Sequence, residues 1–105
     1  MSLLTSGSAT VAADGTATVV LGPVPPGRRW LVDTTTVSLS TGNGTAKVYN
    51  GTAADDGQLI EGTYSGALDT TDRINTLGTG EAITVQWSDA TPGALARVLL
   101  RGVSQ

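Results

Sequence analysis

Apolar and polar residues alternate along much of the chain with a period of two, the signature of strands half-buried in a sheet. The cleanest case is 81–87, where Ile83, Val85 and Trp87 take the core face and Ala82, Thr84 and Gln86 the other. Residues 16–21 repeat it, with Ala17, Val19 and Leu21 opposite Thr16, Thr18 and Val20. Residues 94–103 set Ala94, Ala96, Val98 and Leu100 against Leu95, Arg97, Leu99 and Arg101. A short helix is the rival reading there. Gly93 before the segment and Gly102 within it favour a strand. The longest extended segment, 28–40, breaks the rule. Leu31, Asp33, Thr35, Val37 and Leu39 share one parity, and Trp30, Val32, Thr34 and Thr36 the other, so each face mixes apolar with polar. That mixture predicts a bend or bulge near 33–35.

Shorter strands are expected at 8–13, at 45–50 with Ala46 and Val48 inward and Lys47 and Tyr49 outward, around Leu59-Ile60, and at 73–77. Asp14-Gly15, Thr41-Gly42-Asn43-Gly44, Gly78-Thr79-Gly80 and Pro92-Gly93 supply turns, the first two read as hairpins. The run Gly22-Pro23-Val24-Pro25-Pro26-Gly27 cannot sustain a ladder, because proline has no N–H to donate. It reads as a corner between sheets. Segments 51–57 and 65–72 read as polar, turn-rich loops. Residues 1–7 read as a flexible or docking arm, followed by one domain over 8–105. The fold class is all-β: an antiparallel β-sandwich, jelly-roll-like, of about eight short strands.

Composition narrows the chemistry. The 105-residue chain has neither cysteine nor histidine. Disulfides and thiolate metal sites are excluded, as are Ser-His-Asp and Cys-His nucleophile systems. No paired-carboxylate cleft is evident, and the reading is not an enzyme and without a cofactor. A net charge of -3, with six scattered basic residues, forms no nucleic-acid footprint. No apolar run approaches the about 18 residues of a membrane span. Met1-Ser2-Leu3-Leu4-Thr5 lacks the basic and long apolar regions of a signal peptide.

Asp55-Asp56, Glu61 and Asp69-Thr70-Thr71-Asp72 are the acidic groupings. They read as solvated loop acids, lacking the converging oxygens that calcium requires. Gly42-Asn43-Gly44-Thr45-Ala46-Lys47 has the wrong spacing for a phosphate loop and reads as a turn. Asn43-Gly44-Thr45 and Asn50-Gly51-Thr52 match the glycosylation pattern but read as turns as well. Arg28-Arg29-Trp30 is the most assertive cluster. It suits an interface anchor, or else a tryptophan plugging the core with arginines protecting an edge. Leu3, Leu4, Arg28, Arg29, Trp30 and Tyr64 are the candidate interface residues.

Several pieces in order carry a family resemblance. They are Gly22-Pro23-Val24-Pro25-Pro26-Gly27-Arg28-Arg29-Trp30, Lys47-Val48-Tyr49-Asn50-Gly51, and Glu61-Gly62-Thr63-Tyr64-Ser65-Gly66 with Asp69 and Asp72 after it. The stretch 77–87 with Gly80-Glu81 follows, then Pro92-Gly93-Ala94. From about Val19 onward the chain resembles small structural proteins of tailed bacteriophages, notably those infecting actinobacteria. The resemblance implies a virion component and leaves capsid decoration, tail and baseplate roles open. The favoured expectation is a capsid decoration protein on the outer shell, self-associated as a homo-oligomer (a trimer favoured), with the major capsid protein or other virion proteins as partners. The alternative is a tail or baseplate adsorption module binding host-surface carbohydrate through the acidic loops and Tyr64. A non-viral carbohydrate-binding domain is less favoured, for want of aromatic platforms.

Overall fold

Every alternating segment becomes a strand, and the corners between them carry the chain from one sheet to another. The computed structural model describes residues 1–63, 65–72 and 74–105. Among them the strands are β1 (Ser2–Thr10), β2 (Ala17–Leu21), β3 (Trp30–Leu39), β4 (Thr45–Asn50), β5 (Leu59–Gly62), β6 (Leu68–Thr71), β7 (Asn75–Leu77), β8 (Ile83–Ser88) and β9 (Leu95–Ser104). A single 3-10 turn, Asp56–Gln58, precedes β5 and is capped by the Asp55 carboxylate, which accepts from Gly57 N–H at 3.0 Å.

Two antiparallel sheets pack face to face. Sheet A has the order β1-β9-β3-β6, with β7 also on β3; sheet B has the order β2-β8-β4-β5. β6 and β7 lie end to end along the same edge of β3, at Thr35–Ser38 and Trp30–Val32 respectively. Counted as one interrupted strand, they leave four strands per sheet. Apart from β4 to β5 and β6 to β7, each consecutive pair lies in different sheets. This is the jelly-roll connection, and the expected β-sandwich is what the chain forms.

The inward rows meet in one apolar cluster. Ala17, Val19 and Leu21 of β2, Ala46 and Val48 of β4, and Ile83, Val85 and Trp87 of β8 face Val32 and Val37 of β3 and Ala96, Val98 and Leu100 of β9. Trp87 is fully buried, and its Nε1–H donates to Gly66 O at 3.0 Å. That bond satisfies the polar end of the largest core side chain. The last segment is a strand, as its glycines indicated.

The mixed parity of β3 has the expected cause. Its register against β9 shifts between Val32 and Thr34, leaving Asp33 as the extra residue. Trp30 and Val32 point inward before the bulge, and Thr35 and Val37 after it. Opposite the bulge, a Cβ on Gly102 would overlap the Leu31 carbonyl oxygen, so this closest approach of β9 to β3 requires glycine.

Several sequence expectations need correction. Residues 1–7 are not an arm: Ser2 to Gly7 lie within β1, which pairs with β9 from Ser2 to Thr10. Leu3 joins the core, and Gly7 keeps β1 close to β2, since a Cβ there would meet Val19 and Leu21. Asp14-Gly15 and Thr41–Gly44 do not make hairpins, because β1 and β2, and likewise β3 and β4, lie in different sheets. A tight turn fixes a local reversal of direction, not the sheet to which the next strand adds. Segment 65–72 is not all loop, since it contains β6. Tyr49 is outward by parity yet buried, opposite Thr84, whose Oγ1 donates to Gly51 O at 2.8 Å. The Gly22–Gly27 corner crosses between sheets as expected. It is pinned by Val24 N–H to Glu81 O and Gly80 N–H to Val24 O, both 2.9 Å.

Candidate interaction surface

β9 is central in sheet A, and its alternation divides two chemistries. Its inward row is Ala96, Val98 and Leu100. Its outward row is Leu95, Arg97, Leu99, Arg101 and Val103. Register places hydroxyls on either side: Ser6 and Thr36 flank Leu99, and Ser8 and Ser38 flank Arg97. Thr36 and Thr70 hydroxyls bond across to β6 at 3.2 Å. The outer face of sheet A is therefore hydroxyl-rich and crossed by alternating apolar and cationic side chains.

Arg97 and Arg101 are exposed, and neither guanidinium has an ion pair or hydrogen bond with the described residues. At roughly 3.3 Å of rise per residue their Cα atoms stand about 13 Å apart along the strand. Two guanidiniums held on a rigid strand, each with its donors unspent, suit planar acceptors such as carboxylates.

The β3 bulge shapes the same face. An open groove of about 350 Å³ lies there, lined by Ser2, Leu3, Leu4, Asp33, Thr34, Arg101 and Gly102. Thr34 Oγ1 donates to the Asp33 carboxylate at 2.8 Å, which holds that acid beside its own strand. The groove thus offers a guanidinium, a carboxylate and hydroxyls, a set suited to seating polar side chains.

The structure brings most of the sequence-derived candidates to one end of sheet A. Trp30 pairs with Ser104, and Leu3 and Leu4 pair with Gly102 and Arg101. Arg29 and Gln105 exchange backbone N–H···O bonds of 2.8 Å in both directions, and Arg29 Nη2 donates to Gln105 Oε1 at 3.3 Å. Arg28 and Arg29 are exposed, while Trp30 is half-buried against the core. Leu3 is 9% exposed and Leu4 is 68% exposed, so only the second presents its side chain outward. Tyr64 lies outside the described residues.

The acidic groupings do not converge. Asp55 caps the 3-10 turn, Glu61 accepts from Thr71 Oγ1 at 2.8 Å, and Asp69 accepts from Thr70 N–H at 2.8 Å. Among the described residues no three acidic side chains come together to hold a metal ion.

Arg97 and Arg101 were absent from the sequence-derived candidates, although their signal is present in the chain. A cationic and apolar row opposite an Ala-Val-Leu row marks an outward face that is more than solvated. Compared with known proteins, the chain matches no protein-family model and no curated protein.

Proposed function

We propose that the protein is a structural component of a tailed-phage virion, a decoration protein that docks on the outside of the capsid through the outer face of sheet A. The observation that carries the docking is the Leu95-Arg97-Leu99-Arg101-Val103 row, with both guanidiniums unpaired among the described residues. Leu95 and Leu99 are half-buried and Val103 is exposed, and arginine beside partly exposed apolar groups is a composition found at interface anchors. The small hydroxyls around the row leave it accessible to a partner. The jelly roll itself does not decide the matter, since capsid, lectin and cupin domains share it. The virion assignment draws on the ordered resemblance from Val19 onward.

Immunogold labelling of phage particles carrying the protein tests the location. Label distributed over the head supports the proposal. Label confined to the tail or baseplate overturns it in favour of an adsorption role.

A further inference from the structure

Strand edges are templates for pairing, and most folded proteins blunt them with charges, proline, bulges or short length. Sheet B ends in β2 and β5, of five and four residues. The far edge of sheet A is divided between β6 and β7, of four and three. β1 is different. It runs nine residues, pairs among the described residues only with β9, and keeps one register throughout. Its sequence, Ser2-Leu3-Leu4-Thr5-Ser6-Gly7-Ser8-Ala9-Thr10, holds no charge and no proline.

The ladder shows which backbone groups are unspent. Ser104 N–H donates to Met1 O, and Val11 N–H donates to Ala94 O, both at 2.8 Å. In an antiparallel pair, hydrogen-bonded positions alternate. Odd residues of β1 therefore bond to β9. Ser2, Leu4, Ser6, Ser8 and Thr10 direct N–H and C=O toward the free edge, and all five are exposed.

We infer that this edge is a self-pairing interface, its occupant β1 of a second copy in antiparallel register about a two-fold axis at Ser6. That register opposes Ser6 to Ser6, Leu4 to Ser8 and Ser2 to Thr10 of the second copy. It matches hydrogen-bonding positions along the whole strand. Because the strand is uncharged, no like charges oppose each other at any pair. An isologous contact of this kind closes at two copies. It joins two A sheets edge to edge and sets their outer faces side by side. The inference goes beyond the virion reading and does not rest on it.

Measuring mass in solution for the wild-type chain and two variants tests it. Wild type is expected at twice the 10.6 kDa chain mass. Ser6→Pro removes an N–H that β9 does not use, so the monomer keeps its ladder. The dimer loses its central pair of bonds and weakens about tenfold or more. Ser6→Lys sets two ammonium groups opposite each other and gives the same result if the proline variant does not fold. Ser6→Cys places the two Cα atoms about 5.5 Å apart, within disulfide reach, and is expected to cross-link on mild oxidation. A wild-type monomer or trimer, an undiminished Ser6→Lys dimer, or a Ser6→Cys chain that does not cross-link overturns the inference.

Discussion

Thr35 and Asp14 show how single polar groups fare in and out of this core. Thr35 faces inward after the β3 bulge, 1% exposed, and its Oγ1 has no hydrogen-bond partner among the described residues. A buried hydroxyl without a partner keeps its desolvation cost, whereas an apolar group of the same shape does not. Thr35→Val is therefore expected to raise stability by about 1 kcal/mol in urea unfolding. A loss of stability would mean that the hydroxyl has an unrecognised role. Asp14 sits at the corner between β1 and β2. Its carboxylate accepts from Thr16 Oγ1 at 2.7 Å and from Thr16 N–H at 3.1 Å. The side-chain bond, then the backbone bond, lower its pKa below the ordinary 3.8. The folded value thus lies under the unfolded one. Its contribution to stability is complete above the unfolded value and is lost as pH falls through the folded one. Thr16→Val is expected to move the Asp14 midpoint upward in a carboxyl NMR titration. Its stability deficit relative to wild type is expected to shrink as pH falls below 3.8.

At the scale of elements, the bulge decides which side of β3 faces the core. Its register gains one residue at Asp33, so inward positions change parity there. Deleting Asp33 restores an even ladder while Trp30, Val32, Thr35 and Val37 all stay inward. The deletion is expected to leave a folded protein within about 2 kcal/mol of wild type, by circular dichroism and urea unfolding. Deleting Thr36 instead turns one half of the strand inside out. That variant is expected to lose its cooperative transition. Equal tolerance of both deletions would contradict this account of the bulge. β2 and β9 were legible because one buried face imposes strict alternation, β8 because its apolar and polar residue types alternate even though Thr84 is buried as well, and the bulge because alternation failed there. The start of β1 was not, since adjacent Leu3 and Leu4 followed by small polar residues give no clear period. β6 was not, since Leu68-Asp69-Thr70-Thr71 pairs at an edge with Leu68 exposed and burial slight. Sheet membership was not legible at the Asp14-Gly15 and Thr41–Gly44 turns, because the second sheet is a long-range choice. Of the sequence-derived candidates, Leu4, Arg28, Arg29 and Trp30 lie toward one end of sheet A, on different strands and faces. Arg97 and Arg101 became visible as a surface only once β9 lay at its centre.

At the scale of the whole molecule, charge is unevenly placed. The chain carries a net charge of -3, yet Arg28, Arg29, Arg97 and Arg101 lie on or beside sheet A. A face of this kind favours an acidic partner surface, with affinity that falls as salt screens the arginines. The jelly roll supplies rigidity without disulfides, because both sheets close on one apolar cluster. The proposed docking role and the inferred self-pairing edge would use different parts of sheet A, its outer face and its β1 rim, so they can be separated experimentally. The most direct measurement of the docking claim is quantitative co-sedimentation of purified protein with phage capsids lacking it. Saturable binding that Arg97→Glu and Arg101→Glu each weaken about tenfold or more, with folding intact, is the predicted result. Absence of binding, or binding that neither charge reversal changes, would contradict the account.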